Sequence, residues 1–236
     1  MKKIASILCA LAFAGAVHAD IYNDATGDLH NGVPSGDNFS GFTHLDISSV
    51  EIVNDASTIT FTINLVGSIA NPNDWGRYLI GINRVAGGDT TAPVGNPWAL
   101  NINYNDAGDG MDSWLGSWVN GSGGAQVWNY SGSWAQSGGN LPVNLTANSV
   151  SFSATLASLN LSVNDTFEFD VYTTGGNDGN SAVDALTSGT PAITTWGGPF
   201  TTSGGLSYTV VPEPSTIALV GVFGVLAGVR MIRRKK

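Results

Sequence analysis

The stretch Asn105-Asp106-Ala107-Gly108-Asp109-Gly110-Met111-Asp112 gathers carboxylate and amide oxygens on a segment that carries two glycines. Calcium takes roughly six to eight oxygen ligands and often finds them on loops of this kind. Asp106, Asp109 and Asp112 are therefore candidate calcium ligands. The segment is not an EF-hand, because Ser117 stands where the twelfth-position glutamate would be, counting from Asp106. Asn177-Asp178-Gly179-Asn180 is a weaker candidate of the same type. Asp, Asn and Gly also build turns for backbone reasons alone, so composition does not separate a cation loop from an ordinary turn.

A second chemistry is stacking. The chain has 7 tryptophans, and Trp128, Tyr130 and Trp134 recur at even spacing. On one continuous strand they would share a face, although Ser131-Gly132-Ser133 interrupts the run. Exposed aromatics of this kind form a sugar-stacking platform, whereas the same residues turned inward would fill a core. Trp114 and Trp118 flank Leu115-Gly116-Ser117.

Catalytic patterns are absent. No G-x-S-x-G elbow, phosphate loop or dinucleotide fingerprint occurs. His30 and His44 are too isolated to suggest a zinc pair. Glu51 and Glu168 fall in separate strand-like runs, and a glycosidase needs two carboxylates facing each other across a cleft. The body is read as a non-enzyme.

Short strands must position these residues. Ile59, Phe61, Ile63 and Leu65 alternate with polar residues, as do Val150, Phe152, Ala154 and Leu156, and Phe167, Phe169 and Val171. Arg77 to Val85 and Trp98 to Tyr104 are further strand candidates. Such alternation marks half-buried strands. Gly, Asn, Asp, Ser and Pro clusters separate the runs and read as turns. Ser181 to Leu186 is expected to form one short helical turn. Many strands without crossover helices predict an all-β fold, an antiparallel β-sandwich of jelly-roll type, with a barrel as second choice.

Both ends read as addresses. Lys2 and Lys3 precede an apolar run from Ile4 to Val17, and Val17-His18-Ala19 fits a signal peptide cut after Ala19. The single cysteine, Cys9, would leave with it, so residues 20–210 would form one extracytoplasmic domain without disulfides. That body has Arg77 and Arg84 against seventeen acidic residues, a net charge of −15. Such a surface repels phosphate backbones, which excludes nucleic acid as a partner.

Residues 211–236 have three parts. Val211-Pro212-Glu213-Pro214 cannot continue a strand, because proline lacks the N–H a ladder needs. Residues 215–232 are apolar enough for one short transmembrane helix. Arg233, Arg234, Lys235 and Lys236 then form a stop-transfer cluster that stays cytoplasmic, so the body is tethered outside by its C-terminus. This order resembles the PEP-CTERM sorting signal of Gram-negative, biofilm-forming bacteria, a tail also called the ice-binding protein C-terminal motif. The resemblance implies recognition by exosortase, an integral membrane cysteine transpeptidase, with cleavage at or near Pro212, Glu213 and Pro214. Phe167 to Gly176, Ser181 to Leu186, and Trp196-Gly197-Gly198-Pro199-Phe200 look like stretches shared by many PEP-CTERM surface proteins.

The sequence thus points to an exported surface or biofilm-matrix protein whose sandwich binds or structures extracellular polysaccharide. A calcium-dependent adhesin or an ice binder, suggested by the row Thr58, Thr60 and Thr62, is an alternative, and a secreted glycosidase is another.

Overall fold

The computed structural model describes residues 18–70, 72–91 and 96–212. Residues 1–17 of the signal peptide expected over 1–19, the apolar helix expected over 215–232 and the basic cluster lie outside them, whereas His18 and Ala19 are described and pair with Asn54 and Val53. No helix among the described residues is long and apolar enough to cross a membrane.

Fourteen strands make up the body. They are β1 (His18–Asn23), β2 (Ile47–Asn54), β3 (Thr58–Leu65), β4 (Arg77–Asn83), β5 (Ile102–Tyr104), β6 (Ser113–Trp118) and β7 (Gly124–Tyr130). Then follow β8 (Trp134–Gln136), β9 (Val143–Leu145), β10 (Ser149–Thr155), β11 (Thr166–Thr174), β12 (Asp184–Ala185), β13 (Phe200–Thr202) and β14 (Leu206–Thr209). One sheet runs β1-β2-β3-β10-β9, and a larger one runs β12-β11-β4-β6-β7-β8, with β14 also paired to β11. Every pairing in these two sheets is antiparallel. The architecture is nearly all β, as the alternation predicts, and β1-β2-β3 is a simple meander within the five-stranded sheet.

Alternation decides which side chains meet. Ile52, Phe61, Ile63 and Phe152 from the smaller sheet share one core with Ile80, Ile82, Leu115, Phe167 and Val171 from the larger. Residues one step along the same strands point the other way. On the smaller sheet these are polar: Thr60 Oγ1 pairs with Ser153 Oγ at 2.7 Å, and Thr62 Oγ1 donates to Ser151 Oγ at 3.1 Å. Thr60 and Thr62 of the threonine row are thus occupied in cross-strand hydrogen bonds, and the Thr58 hydroxyl donates to Asp55 Oδ2 in the preceding turn.

The larger sheet is covered on its outer face as well. Leu79, Trp114 and Tyr172 pack there with Leu100, Ile102, Tyr104 and Met111 in a second core cluster. The lid over them includes a short parallel ladder between β5 and β13. Two local expectations give way here. Of the run Trp98–Tyr104 only Ile102–Tyr104 is strand, because Ala99 takes a left-handed φ of 54°. The segment Ser181–Leu186 is not a helical turn: Asp184 and Ala185 pair with Thr173 and Tyr172, and Val183 N–H donates to the Thr173 carbonyl. The free edge of β11 offers a ladder, and its hydrogen bonds outweigh local helical preference.

Candidate functional site

Strand register builds the outer face of the larger sheet row by row. Arg77 opposes Trp118, which opposes Gly124; Leu79 opposes Gly116, which opposes Gln126; Gly81, Trp114, Trp128 and Gln136 form the next row. Directly opposed residues share a face, so these side chains lie side by side. The glycines mark where rings rest. A Cβ on Gly116 would lie 2.4 Å from Cη2 of Trp98, and one on Gly124 would lie 2.4 Å from Cζ2 of Trp118.

Trp98 reaches Gly116 from the loop 96–101, and buried Asn96 organises that loop. Its Nδ2 donates to the carbonyls of Leu100 and Ile102, while its Oδ1 accepts from Trp98 N–H and Leu100 N–H. The Arg77 guanidinium carbon sits 5.2 Å from the Trp98 ring centre, within cation–π range. Trp98 Nε1 donates to Gln126 Oε1 at 3.2 Å, and Trp128 Nε1 donates to the same oxygen at 3.1 Å. The ring is therefore fixed from beneath, from the side and at its polar edge.

Around Trp98 lies an open cleft of about 530 Å³. Trp75, Trp98 and Trp118 supply indole surface, and Arg77, Asn120, Gln126 and Asp178 supply polar groups at its margin. Half-buried rings with a few convergent polar side chains suit a ligand with apolar faces and hydroxyl edges. Asp178 is the one carboxylate on this lining among the described residues.

The predicted aromatic trio lies farther along the same face. Trp128 and Tyr130 are on β7, and Trp134 is on β8 across the hairpin at 131–133. The run does break at Ser131-Gly132-Ser133, and cross-strand pairing of Tyr130 with Trp134 keeps the three residues on one face. Their rings are half-buried rather than open, and the Tyr130 and Trp134 planes meet at 55° with centres 5.4 Å apart. Trp134 Nε1 donates to Asp89 Oδ2 at 2.8 Å. Sequence reasoning named this trio but missed the deeper set of Trp75, Trp98 and Trp118. The signal available was Gly116 between Trp114 and Trp118, an empty seat for a ring from elsewhere.

The acidic loop takes a different form from the expected chelating set. Asp106 and Asp109 close a tight turn through reciprocal backbone hydrogen bonds of 2.9 and 2.8 Å. Asp109 Oδ1 accepts from Gly87 N–H at 3.0 Å. Asp112 turns inward, and its Oδ2 accepts from Arg84 N–H at 2.6 Å and Val85 N–H at 2.8 Å. The carboxylates of Asp109 and Asp112 serve backbone turns, and Asp106, Asp109 and Asp112 do not converge on a common centre. Asp109 and Asp112 thus hold backbone turns through their carboxylates, and Asp106 takes part through its backbone.

Behind the β5–β13 lid, Asp170 is fully buried, and loss of solvent pushes its carboxyl up to about 6. Four donors hold it: the Val171 and Thr187 N–H groups and the Thr187 and Thr202 hydroxyls. Thr202 belongs to β13, so this carboxyl ties the lid to β11.

The body ends in a defined clamp. Val210 is buried and exchanges hydrogen bonds with Asp165 and Asn164, and Asn54 holds Val211. Val211, expected to open the sorting segment, is thus bound to the body, and Pro212 beyond it is exposed. Glu213 and Pro214 lie outside the described residues. No curated protein matches the chain. Residues 210–235 match the PEP-CTERM protein-sorting motif. The chain carries that motif, which makes it an exported protein sorted by an exosortase.

Proposed function

We propose that the body is a polysaccharide-binding β-sandwich, of jelly-roll type, displayed on the cell surface or in an extracellular matrix after exosortase processing. Before processing, the apolar helix over 215–232 and the basic residues Arg233 to Lys236 hold it to the membrane. The observation that carries this reading is the indole-lined cleft of about 530 Å³ around Trp98, with Arg77, Asn120, Gln126 and Asp178 at its edge. Sugars present C–H faces to aromatic rings and hydroxyls to polar side chains, and this lining offers both. Trp128, Tyr130 and Trp134 extend the same face and give a long chain a second place to rest. The body is not proposed as a glycosidase, because the cleft lining contributes one carboxylate where hydrolysis needs two.

Co-sedimentation of the exported protein with the producing cell's own exopolysaccharide tests the reading, in calcium and in chelator. Binding is expected to weaken about tenfold in Trp118→Ala, the loss of about 1.4 kcal/mol. Full retention of binding in both Trp118→Ala and Trp98→Ala would remove the cleft from consideration. Retention in those variants with loss in Trp128→Ala would move the site to the outer trio.

A further inference from the structure

Asp28, Asp46 and Asp184 come from distant parts of the chain and meet at one point. One carboxylate oxygen from each lies within 4.8 Å of the others. Asp28 belongs to the loop after β1, Asp46 precedes β2 in the smaller sheet, and Asp184 opens β12 at the edge of the larger sheet. Asp46 and Asp184 are only 2% and 1% exposed.

Their hydrogen bonds leave the cluster unfinished. Asp46 Oδ2 accepts from Gly27 N–H at 2.9 Å, but Asp46 Oδ1 has no partner. Neither oxygen of Asp28 has one. Asp184 Oδ2 accepts from Ile47 N–H at 2.7 Å and Oδ1 from Ala185 N–H at 2.9 Å, which fixes its carboxylate in place. Asp24 stands near enough to add repulsion on Asp184, and its Oδ2 is also unpartnered. Buried polar atoms are almost always satisfied, so the unpartnered oxygens of Asp24, Asp28 and Asp46 beside this cluster call for a partner.

Among the described residues no Lys or Arg side chain partners these carboxylates. Among the described residues the guanidinium groups are those of Arg77, which donates to the Gly176 carbonyl beside Trp98, and Arg84, which lines the cleft beside Asp106 and Asp109. A cation for them would come from solution. Three carboxylate oxygens that all lie within 4.8 Å of one another are close enough to share one hard ion bonded at roughly 2.4 Å. Asp28 is partly exposed as a residue, but both of its carboxylate oxygens are buried and face the cluster's interior environment rather than bulk water.

We propose that Asp28, Asp46 and Asp184 form an internal calcium site, with Asp24 at its margin. The ion bridges the N-terminal loop to both sheets and cancels repulsion that would otherwise push them apart. Calcium is scarce in cytoplasm and plentiful outside it, so the site locks the sandwich only after export. This proposal is independent of the glycan cleft, which lies on the outer face of the larger sheet.

The test uses the exported full-length chain purified in detergent and stripped with chelator, with calcium chloride as the probe. Equilibrium dialysis is expected to show a Kd on the order of 10⁻³ M or tighter. Calcium at a fifty-fold excess over that Kd is expected to raise Tm by about 5 °C. Asp28→Asn is the informative variant, because it removes charge without removing any hydrogen bond; it should weaken calcium binding at least tenfold and abolish the Tm response. Asp109→Ala should leave both unchanged. No binding to the stripped wild-type chain, or a weaker effect of Asp28→Asn, or loss in Asp109→Ala instead, would overturn the proposal.

Discussion

Asn54 holds the backbone of Val211 on both sides: its Oδ1 accepts Val211 N–H at 3.1 Å and its Nδ2 donates to the Val211 carbonyl at 2.9 Å. The two residues are 157 positions apart, and Val211 lies within the matched sorting motif, immediately before Pro212. The Tyr208 hydroxyl donates to the same Oδ1 at 2.6 Å. One amide thus binds the first residues of the sorting-motif match to the described body.

Asn54→Ala removes all of these bonds and leaves the buried Tyr208 hydroxyl without its partner. The expected cost is about 2–3 kcal/mol of stability, read by chemical denaturation. A cost below about 0.5 kcal/mol would show that the clamp contributes nothing.

Gly116 is expected to tolerate nothing larger than hydrogen. The backbone there needs no special φ, but an alanine methyl would sit where the Trp98 ring now lies. Gly116→Ala should lift Trp98 outward, cost about 1–3 kcal/mol and raise acrylamide quenching of indole fluorescence. Unchanged quenching would mean that the loop 96–101 yields without moving the ring.

Trp114 is fully buried, and its Nε1 has no acceptor. It stacks on Tyr172 at 6.4 Å and meets Trp98 at 6.4 Å. Trp114→Ala is expected to cost about 3–5 kcal/mol through the cavity it leaves. Trp114→Phe should cost far less, since it also removes an unsatisfied buried donor. Equal losses in thermal unfolding would refute that ordering.

Asp170 gives the body a pH dependence with a definite sign. Burial raises its carboxyl to about 6 against an ordinary value of 3.8. Between those values the folded chain holds a proton that the unfolded chain has released, so this group's contribution to stability falls as pH rises from about 4 to 6. The full change is on the order of 3 kcal/mol. Asp170→Asn should flatten that part of the curve in urea titrations at pH 4, 5, 6 and 7. A variant curve parallel to the wild type would assign the slope to other carboxyls.

The sequence by itself determined the strand periodicity, the acidic surface and the sorting tail. These are local: alternation of Ile59, Phe61, Ile63 and Leu65 needs no knowledge of β10, and Pro212-Glu213-Pro214 is read where it stands. What the tertiary structure decided is which side chains converge. Trp98 acquires a role only because Gly116, from another strand, leaves room beneath it. Asp106, Asp109 and Asp112 lie close in sequence, yet Asp109 and Asp112 turn to separate backbone amides. Asp28, Asp46 and Asp184 span more than 150 residues and become one cluster only when β12 pairs with β11 and the two sheets close. Backbone preference acts over a few residues, whereas burial and charge act through space, and no spacing rule along the chain encodes the second.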